Sequence, residues 1–215
     1  MKKNNLTKPG MSCIDCYSVN CDRADTLFPD FCLTVNMDED ALKNAMQEYD
    51  NSETAKIARI SASVENDGYM KWCRLEEIMV FASRMGYTKL GIATCVGLMR
   101  ESRRLAEILR GNGFEVFGVA CKCGMQKKEI IGCDSSDSEL GDNMCNPILQ
   151  AELLNRENTD FNIVMGLCVG HDSLFYKHSQ APVTTLVAKD RVLGHNPAAA
   201  LYLSDSYYKR VKSIL

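Results

Sequence analysis

The sequence predicts an α/β protein: a Rossmann-like, doubly wound, mostly parallel four-stranded sheet, preceded by a cysteine-rich metal knuckle and a helical segment. Three observations predict it. From residue 88 onward, short continuous apolar runs alternate with helix-length segments, the pattern of parallel strands buried on both faces. Residues 37–87 place apolar side chains at helical spacing. Residues 1–36 hold four cysteines, Pro9, Pro29 and several turn residues, with little periodicity. The predicted divisions are therefore 1–36, a cysteine-rich knuckle; 37–87, helices packed on the core; and 88–215, the Rossmann-like domain.

Each element has a local reason. Asn36 or Asp38 caps a helix running to about Tyr49, with Asp38, Glu39 and Asp40 at its positive end. A second helix starts near Ser52, and Asn66-Asp67-Gly68 reads as its stop. The third runs from about Cys73 to Met85, with Leu75, Ile78, Met79 and Ala82 on one face and Gly86 suited to a left-handed cap. Leu90 to Ala93 is the first strand, followed by a helix from about Leu98 to Arg110 and a Gly111-Asn112-Gly113 stop. Phe114 to Ala120 is the second strand, and a polar insertion spans Lys122 to Asn146. Pro147 opens a helix to about Asn155. Phe161 to Leu167 is the third strand, Asp172 to Lys177 a short helix, Val183 to Ala188 the fourth strand, and helices follow Pro197. Right-handed crossovers and the usual doubly wound arrangement predict the strand order 2-1-3-4.

At 215 residues the chain is long enough for one buried core with a small appendage. A net charge of −3 and a pI near 5.7 offer no electrostatic attraction for nucleic acid or anionic lipid. Arg100, Arg103, Arg104 and Arg110 lie along one predicted helix and read as a solvated face. The sequence shows neither an export signal nor a run of about 18 apolar residues. It holds 11 cysteines. That many thiols without an export signal predict a reducing compartment, the cytoplasm, where metal ligation or thiol chemistry displaces disulfides.

Cys13, Cys16, Cys21 and Cys32 are spaced C-x2-C-x4-C-x10-C. Four thiolates on tight turns suit zinc at about 2.3 Å, or an iron–sulfur cluster, and a segment with so few core residues would draw its order from the metal. The competing reading is a Cys13-x-x-Cys16 dithiol with two unrelated thiols. Cys95, Cys121 and Cys168 follow the first, second and third strands. In a parallel sheet they share the carboxyl edge, where open α/β folds place ligands, and Cys145 can join them from the end of the insertion. This second quartet could bind zinc or a cluster, with Cys123 and His171 in reserve. The alternative is that these thiols are buried as small hydrophobes, while Cys73 and Cys133 read as ordinary thiols. Cys95 to Arg100 is one residue short of the C-x5-R loop of cysteine phosphatases. A thiol transferase built on Cys95 or Cys121 uses the same residues differently. From the same edge, His171, Asp172, Lys189, Asp190, Arg191, His195 and Asn196 form a possible pocket for a small-molecule ligand or redox partner. The other expectation is a non-catalytic interaction module with structural zinc only.

The N-terminal quartet, Cys145-Asn146-Pro147, Cys168-Val169-Gly170-His171-Asp172 and the run Lys189 to Pro197 together resemble a family of uncharacterised prokaryotic proteins to which metal binding has been ascribed. The resemblance implies metal at the N-terminal cysteines. It also favours Cys95, Cys121, Cys145 and Cys168 over Cys123 and Cys133, and carries no reaction.

Overall fold

Four strands form one parallel sheet. The computed structural model describes residues 10–23, 27–133 and 141–214; Pro9 and parts of the predicted knuckle and insertion lie outside them. Strands β1 (Lys89–Thr94), β2 (Glu115–Ala120), β3 (Phe161–Met165) and β4 (Val183–Val187) stand in the order β2-β1-β3-β4, the predicted one. Every neighbouring pair is parallel, with an irregularity opposite Val164 and Met165 where β3 meets β4. The helices are α1 (Glu39–Gln47), α2 (Ser52–Gly68), α3 (Arg74–Met85), α4 (Met99–Gly111), α5 (Pro147–Arg156), α6 (His171–His178) and α7 (Ala198–Tyr202).

The chain divides into two compact units, Met1–Arg59 and Ile60–Leu215. In the first, none of the described residues is buried. Short 3-10 turns at Cys13–Asp15 and Asn20–Asp22 precede α1, whose cap is Asp38 accepting from the backbone of Asp40 and Ala41.

The second unit contains the core. Alternation along the strands sends Leu90, Ile92, Ile163 and Met165 to one face, against Ile78 and Ala82 of α3 and Leu105 and Leu109 of α4. Ala93, Val119 and Val164 face the other way, against Ala151 and Leu154 of α5 and Phe175 of α6. Both sides of the central strands are thus covered, which is why they read as largely apolar runs, with Asn162 the buried polar exception in β3. Among the described residues no helix is long and apolar enough to cross a membrane.

The expected stop of the second helix holds. Helix α2 ends at Gly68, the last residue of the Asn66-Asp67-Gly68 signal. Asp67 pairs with Arg84 of α3 at 2.7 Å, and a Cβ on Gly68 would stand 2.3 Å from the Trp72 ring. Gly68 is thus both the helix's last residue and a contact glycine. At the amino edge of the sheet, Asp160 accepts from the backbone N–H of Thr88 at 2.7 Å and Lys89 at 2.8 Å. Burial pushes its carboxyl up, but these N–H donors outweigh it and leave the pKa lowered. The amino edge is thereby sealed by hydrogen bonds.

Candidate metal and thiol site

The carboxyl edge is built differently. Thr94 pairs with Ala120 on one side and with Met165 on the other, so the three strands end level. The ladder continues one step further, Cys121 N–H donating to Thr94 O at 2.8 Å and Cys95 N–H to Met165 O at 3.1 Å. Cys95 and Cys121 therefore sit side by side because the register puts them there, with exposures of 5% and 4%. Cys145 arrives from the insertion. The N–H of Asn146 donates to Cys121 O at 2.7 Å, and the Sγ atoms of Cys145 and Cys121 lie 3.6 Å apart. Asn146 then caps α5 through Leu149 N–H, with Pro147 in the first turn.

Backbone donors serve the sulfurs. Gly97 N–H donates to Cys95 Sγ and Val96 N–H to Cys121 Sγ, each at 3.4 Å. Gln150 of α5, fully buried, donates to Thr94 O at 3.1 Å and Val119 O at 2.6 Å, pinning the helix onto the ends of β1 and β2. Cys168 follows β3 after Gly166 and Leu167; its carbonyl accepts from His171 and Asp172 N–H at the start of α6. Gly166 has φ +66°, and a Cβ there would meet Leu98 Cδ1 at 2.2 Å. Only glycine lets this turn lie so close to the loop after β1.

Two cations come from the loop after β4. Arg191 donates to Cys168 Sγ at 3.8 Å. Lys189 reaches over Gly97, and its amine assists Cys95 against the stronger effects of the Cys121 thiol and burial, which push Cys95 up to about 12. Cys121 is raised as well, chiefly by its contact with Cys145. Cys145 goes the other way and is held down to about 7, chiefly because its thiolate accepts a hydrogen bond from the Cys121 thiol. Burial opposes that ionisation, as would any negative charge on Cys168 or Cys95.

Other residues expected at this edge have local roles. Asp190 Oδ1 accepts from Val192 and Leu193 N–H, and His195 Nδ1 accepts from Asp190 N–H at 3.0 Å. Asn196 accepts from Ala199 N–H at 3.1 Å, and Asp172 from Ser173 N–H at 2.8 Å. His171 opens α6. Cys123 and Cys133 are exposed, and Cys73 is the residue before α3.

In the first unit, Cys16 and Cys32 are half-buried while Cys13 and Cys21 are exposed. The Ser18 hydroxyl, 3.4 Å away, and the N–H groups of Val19 and Ser18 lower the Cys16 pKa. The N–H of Val35 leads in lowering Cys32, opposed by burial and more weakly by the charge of Cys16. Among the described residues, no three His, Cys, Asp or Glu side chains are gathered closely enough, as placed, to hold one metal ion.

Residues 32–186 match the family described as "Protein of unknown function (DUF1847)". The chain belongs to this family. The DUF1847 span contains all four sheet-edge cysteines and, of the N-terminal quartet, Cys32. An uncharacterized protein of Methanocaldococcus jannaschii is 48% identical over 165 residues, 76% of this chain and 84% of that protein. Among solved structures, Dph2 from Pyrococcus horikoshii aligns at 19% identity with a TM-score of 0.35, covering 65% of this chain and 32% of that one. The chain thus spans about a third of that structure, a distant likeness on which no functional argument rests.

Proposed function

We propose that this DUF1847 protein is a metal–thiolate protein whose working centre is Cys95, Cys121, Cys145 and Cys168, holding zinc or an iron–sulfur cluster. In this reading Cys13, Cys16, Cys21 and Cys32 hold a second, structural metal. The supporting observation is the 3.6 Å contact of Cys145 with Cys121, beside Cys95 at the level ends of neighbouring strands. Sulfurs around one tetrahedral ion at about 2.3 Å lie about 3.8 Å from each other, so that contact has the spacing of two ligands. Cys168 completes the set on turning from Arg191.

Charge supports the same assignment. Four thiolates on a divalent ion carry a net −2, which is costly beside a core unless offset. The N-termini of α4, α5 and α6 all begin just beyond Cys95, Cys145 and Cys168 and present their positive ends there. Lys189 and Arg191 add two full charges. Once bound, zinc would supply structure or Lewis acidity, and a cluster would supply electron transfer. The chain's own residues orient the sulfurs, supply N–H donors and stabilise their charge, at an edge that a small-molecule ligand or a redox partner could reach. The work is metal handling or redox chemistry, in a reducing compartment such as the cytoplasm.

Anaerobic purification with metal analysis and a visible spectrum tests this. A brown protein indicates the cluster, and a colourless zinc protein the plain ion. Replacing Cys95 and Cys168 together by Ala should abolish the second metal and leave the first. Unchanged metal content in that double variant would remove the sheet-edge centre and leave a module with structural zinc alone.

A further inference from the structure

We propose that Cys121 and Cys145 are also a redox-active dithiol, which a hydroperoxide closes to a disulfide when no metal occupies the edge. This goes beyond metal binding and does not depend on it. The pair is preset by geometry. The hydrogen bond from Asn146 N–H to Cys121 O, at 2.7 Å, lays the two residues alongside each other. Their sulfurs, 3.6 Å apart, need to close by roughly 1.5 Å to reach disulfide length.

The partner choice follows from what surrounds Cys121. Cys95, its other neighbour, ends the central strand, is 5% exposed and has its sulfur engaged by Gly97 N–H at 3.4 Å. Cys145 is half-buried at the end of an insertion, where a small oxidant reaches it more readily than the buried Cys121. The neck of that insertion is already closed by Lys128 N–H to Asp142 O at 3.0 Å and Met144 N–H to Gln126 O at 2.8 Å. Little further ordering is needed to link its two ends.

The chemistry balances with the oxidant named. The Cys145 thiol attacks the peroxide; the O–O bond breaks, a sulfenic acid forms, and one water leaves when the oxidant is hydrogen peroxide. The Cys121 sulfur then attacks the sulfenic sulfur, the S–S bond forms, the S–O bond breaks, and a second water leaves with the Cys121 proton. Two thiols and one hydrogen peroxide become one disulfide and two waters.

The full-length chain, reduced and stripped with a chelator, is treated with one equivalent of hydrogen peroxide, alkylated and mapped by mass spectrometry. The expected product joins the peptides carrying Cys121 and Cys145. Formation of that linkage is lost in Cys145→Ser and kept in Cys123→Ser and Cys133→Ser. Persistence of both free thiols, or a dominant Cys95–Cys121 link, overturns the proposal. Preloading with zinc should slow the linkage at least tenfold. Equal rates with and without zinc would leave the dithiol standing and count against the metal reading instead.

Discussion

The two cysteine quartets set the same side chain in opposite physical settings. In the first unit the thiols lie on short turns, and none of the described residues around them is buried. In the second unit Cys95 and Cys121 belong to the same apolar cluster as Val164, Leu154 and Phe175. Hydrophobic burial is the dominant favourable term in folding. The sheet unit can therefore place its sulfurs without help, and a metal there would find a scaffold already made. The N-terminal unit lacks that driving force, so a metal would have to make the structure. The difference teaches that counting cysteines does not distinguish a site the fold builds from one that builds its fold.

The sharpest way to break this contrast is at the core. Ile163 is fully buried in the middle of β3, and Ile163→Ala should cost about 2–5 kcal/mol through lost transfer energy and the cavity left behind. Leu27, in the first unit, is 93% exposed, and Leu27→Ala should stay within about 0.5 kcal/mol. Urea denaturation followed by circular dichroism measures both. Equal losses would mean that the first unit has apolar packing of its own, and the contrast would fail.

A chelator probes the other side of the comparison. Stripping metal from reduced protein should raise protease cleavage within residues 10–59 about tenfold, because binding energy there is folding energy. The sheet unit should resist, since its order comes from packing. Limited proteolysis with peptide mapping decides this, and equal protection before and after chelation would mean that metal does not organise the first unit.

Much of the second unit was legible because its elements obey one local rule each. Short apolar runs, turn signals after α4 and Pro147 in the first turn of α5 marked the alternation, and handedness then ordered the strands. The neighbourhood of Cys95 and Cys121 followed from that order alone, since side chains just past adjacent strands share an edge. Contacts that depend on loops were not legible. Periodicity carries no information on where the turn after β4 lies, so the reach of Arg191 to Cys168 and of Lys189 over Gly97 appears only in three dimensions. Nor does a backbone N–H leave a mark in sequence, and Val96 and Gly97 act through theirs. Gln150 reads as one more polar helical residue, although it ties α5 to two strand ends. Asn66-Asp67-Gly68 marked the end of α2, but not the contacts of Asp67 with Arg84 or of Gly68 with Trp72.

The finest distinction lies within the sheet-edge quartet, where Cys145 should react near neutrality while Cys95 and Cys121 stay protonated. The thiolate is the nucleophile, and a lowered pKa means that its fraction rises through pH 7 and then levels off. With Cys145 at about 7, its alkylation by iodoacetamide in metal-free protein should be about fivefold slower at pH 6 than at pH 7. Cys95, at about 12, should remain almost unmodified across that range. Cys121→Ala removes the proton donor that holds Cys145 down, so its half-maximum should move toward the free-thiol value of about 8.5 and its rate at pH 7 should fall severalfold. That variant separates hydrogen bonding from the general positive field of Lys122 and the helix termini. If Cys145 keeps its neutral half-maximum without Cys121, the field alone sustains the thiolate, and the sulfur–sulfur contact is only proximity.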